Sequence, residues 1–270
     1  MRALLAIATV SQFVASSPVV ACGTDTDCHI GDRHYRVRMP VDHAVDERIG
    51  AIVFAHGFGG SASGILRNRR MIELADELGV AIIATKSAAK DWSIPGAPSA
   101  VTQEGVDELA YFDTVIRDAT EKFLIDENRL MMSGFSAGAM MVWNLACYRS
   151  DMFAAFAPIA GTFWRPEPLA CDTPPASIVH IHGESDKTVP LEGRPVLDTH
   201  QGNVATVIDW YSNYGSYAPT APFEVADLRC KNSRNAAGRI LGFCLFSGGH
   251  SFNPDHVGEA WKMFEISGQL

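Results

Sequence analysis

Apolar positions along this chain fall into two arrangements. Short unbroken runs recur at AIVFAH (51–56), VAIIAT (80–85), RLMMSG (129–134), FAAFAPIAG (153–161), SIVHIHG (177–183) and ILGFCLF (240–246). Runs of that length suit strands covered on both faces. HYRVRM (34–39) alternates like a half-exposed strand, and FEVADLR (223–229) reads as one more. Between the runs the spacing turns helical. Met71, Ile72, Ala75 and Leu78 make one stripe of a helix near 65–78 that Gly79 stops. Leu109, Phe112, Ile116, Ala119 and Phe123 predict a helix near 103–123, and further helices begin near Ser136 and Asn203. Strand and helix signals in this order predict an α/β fold, a mostly parallel sheet with helices on both faces. No linker divides it, so residues 22–270 read as a single domain.

Residues 1–21 stand apart. Arg2, the apolar stretch ALLAIATVSQFVA and the small residues VVA before Cys22 have the layout of an export signal. The stretch is too short for a membrane span. VVAC also loosely resembles a lipoprotein cleavage box, which would make Cys22 a lipid anchor. A secreted or periplasmic protein fits the six cysteines, Cys22, Cys28, Cys147, Cys171, Cys230 and Cys244. An even number in an oxidising compartment suggests disulfides, and their pairing stays open. Joining neighbours in sequence is the simplest choice: Cys22–Cys28, Cys147–Cys171 and Cys230–Cys244. A net charge of -9 argues against nucleic acid as a partner, because phosphate binding needs clustered Lys and Arg.

The chemistry centres on Gly134-Phe135-Ser136-Ala137-Gly138, a G-x-S-x-G turn between a buried strand and a helix. Such a turn lifts a serine hydroxyl clear of the sheet, and bulk two positions either side would collide with strand and helix. A serine needs a base, and the base needs a carboxylate to orient it. In chain order the candidates are Asp186, just past SIVHIHG, and His250, in the loop after ILGFCLF. Glu184, Asp209, Glu224 and His256 are weaker alternatives. The glycine-rich loop HGFGGS (56–61) makes the backbone N–H groups of Phe58 and Ala137 the expected oxyanion donors. His56 would shape that loop.

Gly57-x-Gly59-x-x-Ala62 also approximates a dinucleotide fingerprint. The following strand ends in Thr85 and Lys86, where the fingerprint wants an acid for the ribose, so no cofactor is expected. His180 and His182 share a strand face but lack further ligands at metal spacing, and local hydrogen bonds are the expectation. Trp92 and Trp164 lie in loops at the active end, where they are candidates to hold a ring or an apolar acyl chain of a substrate, with ordinary packing as the equal alternative.

Together these residues resemble the polyhydroxybutyrate depolymerase and feruloyl esterase family of secreted α/β-hydrolases. The likeness runs through CGTDTDCHIGDRHYRVRMP, HGFGGS, IDENRLMMSGFSAGAMM, CYRSDMFAAFAPIAG, HIHGESDKTVP and SGGHSFNP. It implies an α/β-hydrolase fold, a triad of Ser136, Asp186 and His250, neighbouring-cysteine disulfides and a carboxylic ester as substrate. The family acts on hydroxyalkanoate polyesters and on hydroxycinnamoyl or acetyl esters of polysaccharides. Phe58 and Phe252 depart from the family pattern at the expected pocket. About 50 residues between Ser136 and Asp186 leave little room for a large lid, so an open site able to take bulky or polymeric esters is expected. A peptidase, an acyltransferase or a non-enzymatic binding protein of the same fold are the alternatives.

Overall fold

A computed structural model describes residues 22–44 and 46–270. The expected export signal, residues 1–21, lies outside the described residues. The strands are β1 (Cys28–Ile30), β2 (Arg33–Arg38), β3 (Ile49–Ala55), β4 (Ala81–Thr85), β5 (Ile125–Phe135), β6 (Ala155–Ile159), β7 (Ile178–Gly183), β8 (Pro195–Val196), β9 (Thr199–His200), β10 (Ala218–Pro219), β11 (Phe223–Val225), β12 (Leu228–Arg234) and β13 (Ile240–Phe246). The helices are α1 (Ala62–Ile65), α2 (Arg69–Leu78), α3 (Pro98–Thr102), α4 (Glu108–Lys122), α5 (Ala137–Tyr148), α6 (Val204–Tyr214) and α7 (Pro254–Ile266).

The main sheet runs β1-β2-β4-β3-β5-β6-β7-β13-β12-β10, with β11 pairing to β12. Its centre, β4 through β13, is parallel, and antiparallel pairs close both edges. Parallel strands need cover on both sides, and successive residues of β3 supply it in turn. Val53 packs on one face with Phe112 and Val115 of α4, Trp143 of α5 and Tyr211 of α6. Ile52 and Phe54 pack on the other with Met71 and Leu74 of α2 and Trp261 and Phe264 of α7. The chain order reverses at β3, which is flanked by β4 on one side and β5 on the other. Ligands of open α/β sheets bind at such a reversal, beyond the carboxyl ends of the strands.

Local caps and a turn revise three sequence expectations. The helix predicted over 103–123 starts at Glu108, because the Asp107 carboxylate accepts the Ala110 N–H at 2.9 Å and sets the first turn there. Residues 98–102 form the separate α3. The stretch predicted as one helix over 65–78 divides, with Asn68 capping α2 through the Met71 N–H at 3.1 Å. FEVADLR is a hairpin rather than one strand, since β11 folds back on β12, and Ala226 takes a left-handed φ of 50° at the turn. Disulfides join Cys22 to Cys28, Cys147 to Cys171 and Cys230 to Cys244. Among the described residues no helix is long and apolar enough to cross a membrane.

Candidate active site

Ser136 stands between β5 and α5 with φ 57° and ψ -120°. A positive φ is uncommon for serine and marks local strain of the kind found at functional sites. The strain is held in place by close packing. A Cβ on Gly138 would fall 1.9 Å from the Ala55 carbonyl oxygen, and one on Gly134 would fall 2.7 Å from the Gly138 carbonyl. Both positions therefore exclude any side chain, as the sequence pattern anticipates. The Ser136 N–H is anchored to the Ile159 carbonyl oxygen at 2.9 Å. Although Ser136 is the N-cap residue of α5, its side chain makes no capping bond. The hydroxyl is turned outward instead.

Strand register brings in the other two groups. β7 and β13 pair in parallel with Gly183 opposite Phe246, so the loops that follow them leave the sheet side by side. They are laced together by Glu184 N–H to Phe246 O at 3.0 Å and Ser185 N–H to Gly248 O at 2.8 Å. The result is a continuous line of hydrogen bonds. Ser136 Oγ lies 2.8 Å from His250 Nε2, and His250 Nδ1 lies 2.6 Å from Asp186 Oδ2. The Asp186 side chain is fully buried. Its other oxygen accepts the Thr188 and Val189 N–H groups at 2.8 and 2.9 Å. Burial alone would raise the Asp186 carboxyl, but hydrogen bonds from His182, His250 and Val189 outweigh it and hold the group below the usual carboxylate range. A carboxylate so held keeps His250 with Nδ1 protonated and Nε2 free to take the serine proton. The Phe135 ring lies against the His250 ring, 4.8 Å between centroids, a support that the sequence reading missed.

Phe58 follows β3, next to β5 in the sheet, with Ala55 opposite Gly134. That register sets the Phe58 loop beside Ser136. His56 is buried and donates Nδ1–H to the Gly57 carbonyl at 2.7 Å, while its Nε2 accepts the Ser87 N–H at 3.2 Å. Burial pushes its pKa down to about 4, so the ring is neutral at pH 7 and able to play both parts. The Gly59 N–H is tied to Lys90 O at 2.7 Å, and Gly60 N–H to Gly57 O at 2.9 Å. Among the described residues, no hydrogen bond uses the backbone N–H of Phe58 or Ala137.

A cleft of about 760 Å³ contains Ser136, with Phe58, Met140, Trp164, Val189 and Leu197 in its walls. Trp164 lies in the cleft wall. Trp92 does not: it is fully buried, and its indole N–H donates to the His56 carbonyl oxygen at 2.8 Å. It clamps the base of the Phe58 loop from inside the core. Met140, Val189 and Leu197 escaped sequence reading because Met140 sits in a helix that is apolar and buried on nearly every side, and Val189 and Leu197 lie in loops that carry no period. The weaker candidates lie elsewhere. Glu184 pairs with Arg229 at 2.5 Å, His256 with Asp227 at 3.0 Å, and Asp209 and Glu224 are exposed. His180 and His182 are bonded to each other at 3.0 Å.

Residues 97–204 match a protein-family model described as phospholipase/carboxylesterase. Acetyl xylan esterase from Aspergillus awamori superposes with a TM-score of 0.61 at 14% identity, over 88% of this chain and 94% of that one. The chain has the α/β-hydrolase fold. Among proteins similar in sequence is Feruloyl esterase D of Neurospora crassa, 24% identical over 210 residues, 72% of this chain and 71% of its own. A Nocardia uniformis subsp. tsuyamanensis protein named as an esterase is 29% identical over 162 residues, 60% of this chain. That match spans 47% of the Nocardia protein, so the chain covers about half its length. The resemblance to α/β-hydrolase esterases read from the sequence thus extends to both sequence relatives and fold.

Proposed function

We propose that this chain is a secreted serine carboxylic ester hydrolase that works through an acyl-enzyme. The observation that carries the reading is the unbroken line from Ser136 Oγ to His250 to Asp186, opening on the cleft. His250 Nε2 takes the hydroxyl proton as Ser136 Oγ attacks the ester carbonyl carbon. The carbonyl oxygen gains negative charge and is held by the N–H groups of Phe58 and Ala137. The tetrahedral adduct collapses, the C–O bond to the alcohol breaks, and the alcohol leaves with the proton from His250. Water then attacks the acyl-enzyme with His250 again as base, releasing the acid and restoring Ser136. Asp186 keeps the ring oriented and stabilises its charged form.

The cleft walls favour an ester with a bulky apolar part. Phe58 is 70% exposed and Leu197 85% exposed at the mouth, and large apolar side chains left in water around a site mark a contact surface. Feruloyl or acetyl esters of polysaccharides, and hydroxyalkanoate polyesters or their oligomers, are the substrate classes proposed. Residues 1–21 act as an export signal, and the three disulfides suit an oxidising compartment. Initial rates on feruloyl esters, acetylated xylan, hydroxybutyrate oligomers and short nitrophenyl esters test the reading. Turnover of at least one class, abolished by Ser136→Ala, is expected. No turnover of any of them would reject it.

A further inference from the structure

Two buried histidines of β7 stand behind the triad without a part in the proposed hydrolysis. Trp143 Nε1–H donates to His180 Nδ1 at 3.2 Å, His180 Nε2 meets His182 Nδ1 at 3.0 Å, and His182 Nε2 meets the Val189 carbonyl oxygen at 2.8 Å. Both rings are fully buried. An indole N–H can only donate and a carbonyl oxygen can only accept. The two ends therefore dictate every bond between them. Each imidazole carries its single proton on Nε2 and accepts on Nδ1. A second proton on either ring would set one N–H against another.

The relay ends at the triad. His182 Nε2 is 3.4 Å from Asp186 Oδ2, the same oxygen that accepts the His250 N–H. Its hydrogen bond is to Val189 O, and the carboxylate stands just beyond that bond, close enough to feel the N–H as a positive end. Val189 in turn gives its own N–H to Asp186 Oδ1 at 2.9 Å. One N–H of His182 thus steadies both the carboxylate and the backbone beneath it. In the other tautomer a lone pair on Nε2 would face two acceptors, the Val189 carbonyl and the Asp186 carboxylate, and the loop would be pushed away.

We propose that His182 is a positioning residue for Asp186, its N–H aimed by a one-way relay that starts at Trp143 and passes through His180. The catalytic consequence rests on the hydrolase reading above; the tautomers do not. With His182 in place, Asp186 holds the His250 ring in line with Ser136. Without it, the carboxylate keeps its backbone donors but loses the side that fixes its tilt.

Nitrogen-15 spectra of the histidines in the unaltered protein read the relay directly, with His180→Gln and His182→Gln used to assign the signals. Both rings are expected protonated on Nε2 and bare on Nδ1 at neutral pH. A ring protonated on Nδ1 at either position overturns the proposal. Steady-state kinetics test the consequence. His182→Phe should lower kcat about tenfold, the rate equivalent of one hydrogen bond lost, with KM within about twofold. His182→Gln returns an N–H donor near the Nε2 position and should recover most of the rate. Unchanged kcat in H182F, or equal losses in both variants, overturns the positioning role. If H182F does not fold, the spectra of the unaltered protein decide. Turnover surviving Ser136→Ala would instead reject the hydrolase reading and leave the tautomer result standing.

Discussion

Ser136 Oγ stands 2.8 Å from His250 Nε2 across 114 residues of chain. Neither group reaches the other by local structure. Ser136 is lifted by the strained turn after β5, and His250 hangs from a loop after β13, with β6 and β7 between those strands in the sheet. The pairing is therefore a product of sheet order, and the Asp186 loop after β7 closes the gap.

Asp186→Asn should keep the fold and lower kcat by about 10³–10⁴-fold, because an amide can present N–H to His250 Nδ1 and favour the wrong tautomer. Steady-state rates together with near-UV circular dichroism check this. A rate within tenfold of the unaltered protein would remove Asp186 from the proposed mechanism.

Gly138→Ala puts a methyl group 1.9 Å from the Ala55 carbonyl oxygen, and Ala55 is held in the sheet by its pairing with Gly134 of β5. The variant should lose about 1–3 kcal/mol or more of stability, the usual range for overpacking, and should lose turnover as the turn shifts. Urea unfolding midpoints and rates are the measurements. An unchanged midpoint would show that α5 can move freely against β3.

Phe58→Ala keeps the backbone N–H proposed as an oxyanion donor and removes an exposed ring from the mouth of the cleft. For a bulky apolar ester KM should rise about tenfold, in keeping with the contact area of one aromatic side chain. For a short nitrophenyl ester kcat should stay within about threefold. A fall in kcat for both substrates would mean that the side chain shapes the loop rather than the cleft.

Acid should destabilise the fold through His56. Its folded pKa of about 4 lies below the ordinary imidazole value of 6.5, so between those values the unfolded chain binds more protons. The stability it contributes is fully present above about pH 6.5 and is lost as pH falls toward 4. A proton on Nε2 would also oppose the Ser87 N–H and loosen the loop that carries Phe58. The urea midpoint should fall between pH 7.5 and 5, and His56→Gln should flatten that dependence. Buried His180, also shifted down, leaves a residual slope of the same sign. Equal slopes with and without His56 would contradict this.

Much of this was legible before any coordinates. Unbroken apolar runs marked the central strands because strands covered on both faces have no polar side to show. Gly134 and Gly138 revealed the turn because only glycine fits both places. Ser136, Asp186 and His250 were legible from their positions just past strand ends. What escaped depended on direction and on distant partners. Trp92 follows the same loop grammar as Trp164 but points inward to His56. The Trp143–His180 bond joins residues 37 apart in the chain, and no local period carries such a pairing. The start of α4 was misjudged because its apolar stripe begins only at Leu109, and that spacing does not mark the Asp107 cap before it.

The most direct measurement of the central claim is covalent labelling by a serine-directed phosphonate, followed by mass spectrometry of the peptides. Stoichiometric adduct on Ser136, lost in His250→Ala, is the predicted result. An intact protein that hydrolyses esters while Ser136 stays unlabelled, or that is labelled at another serine, would contradict it.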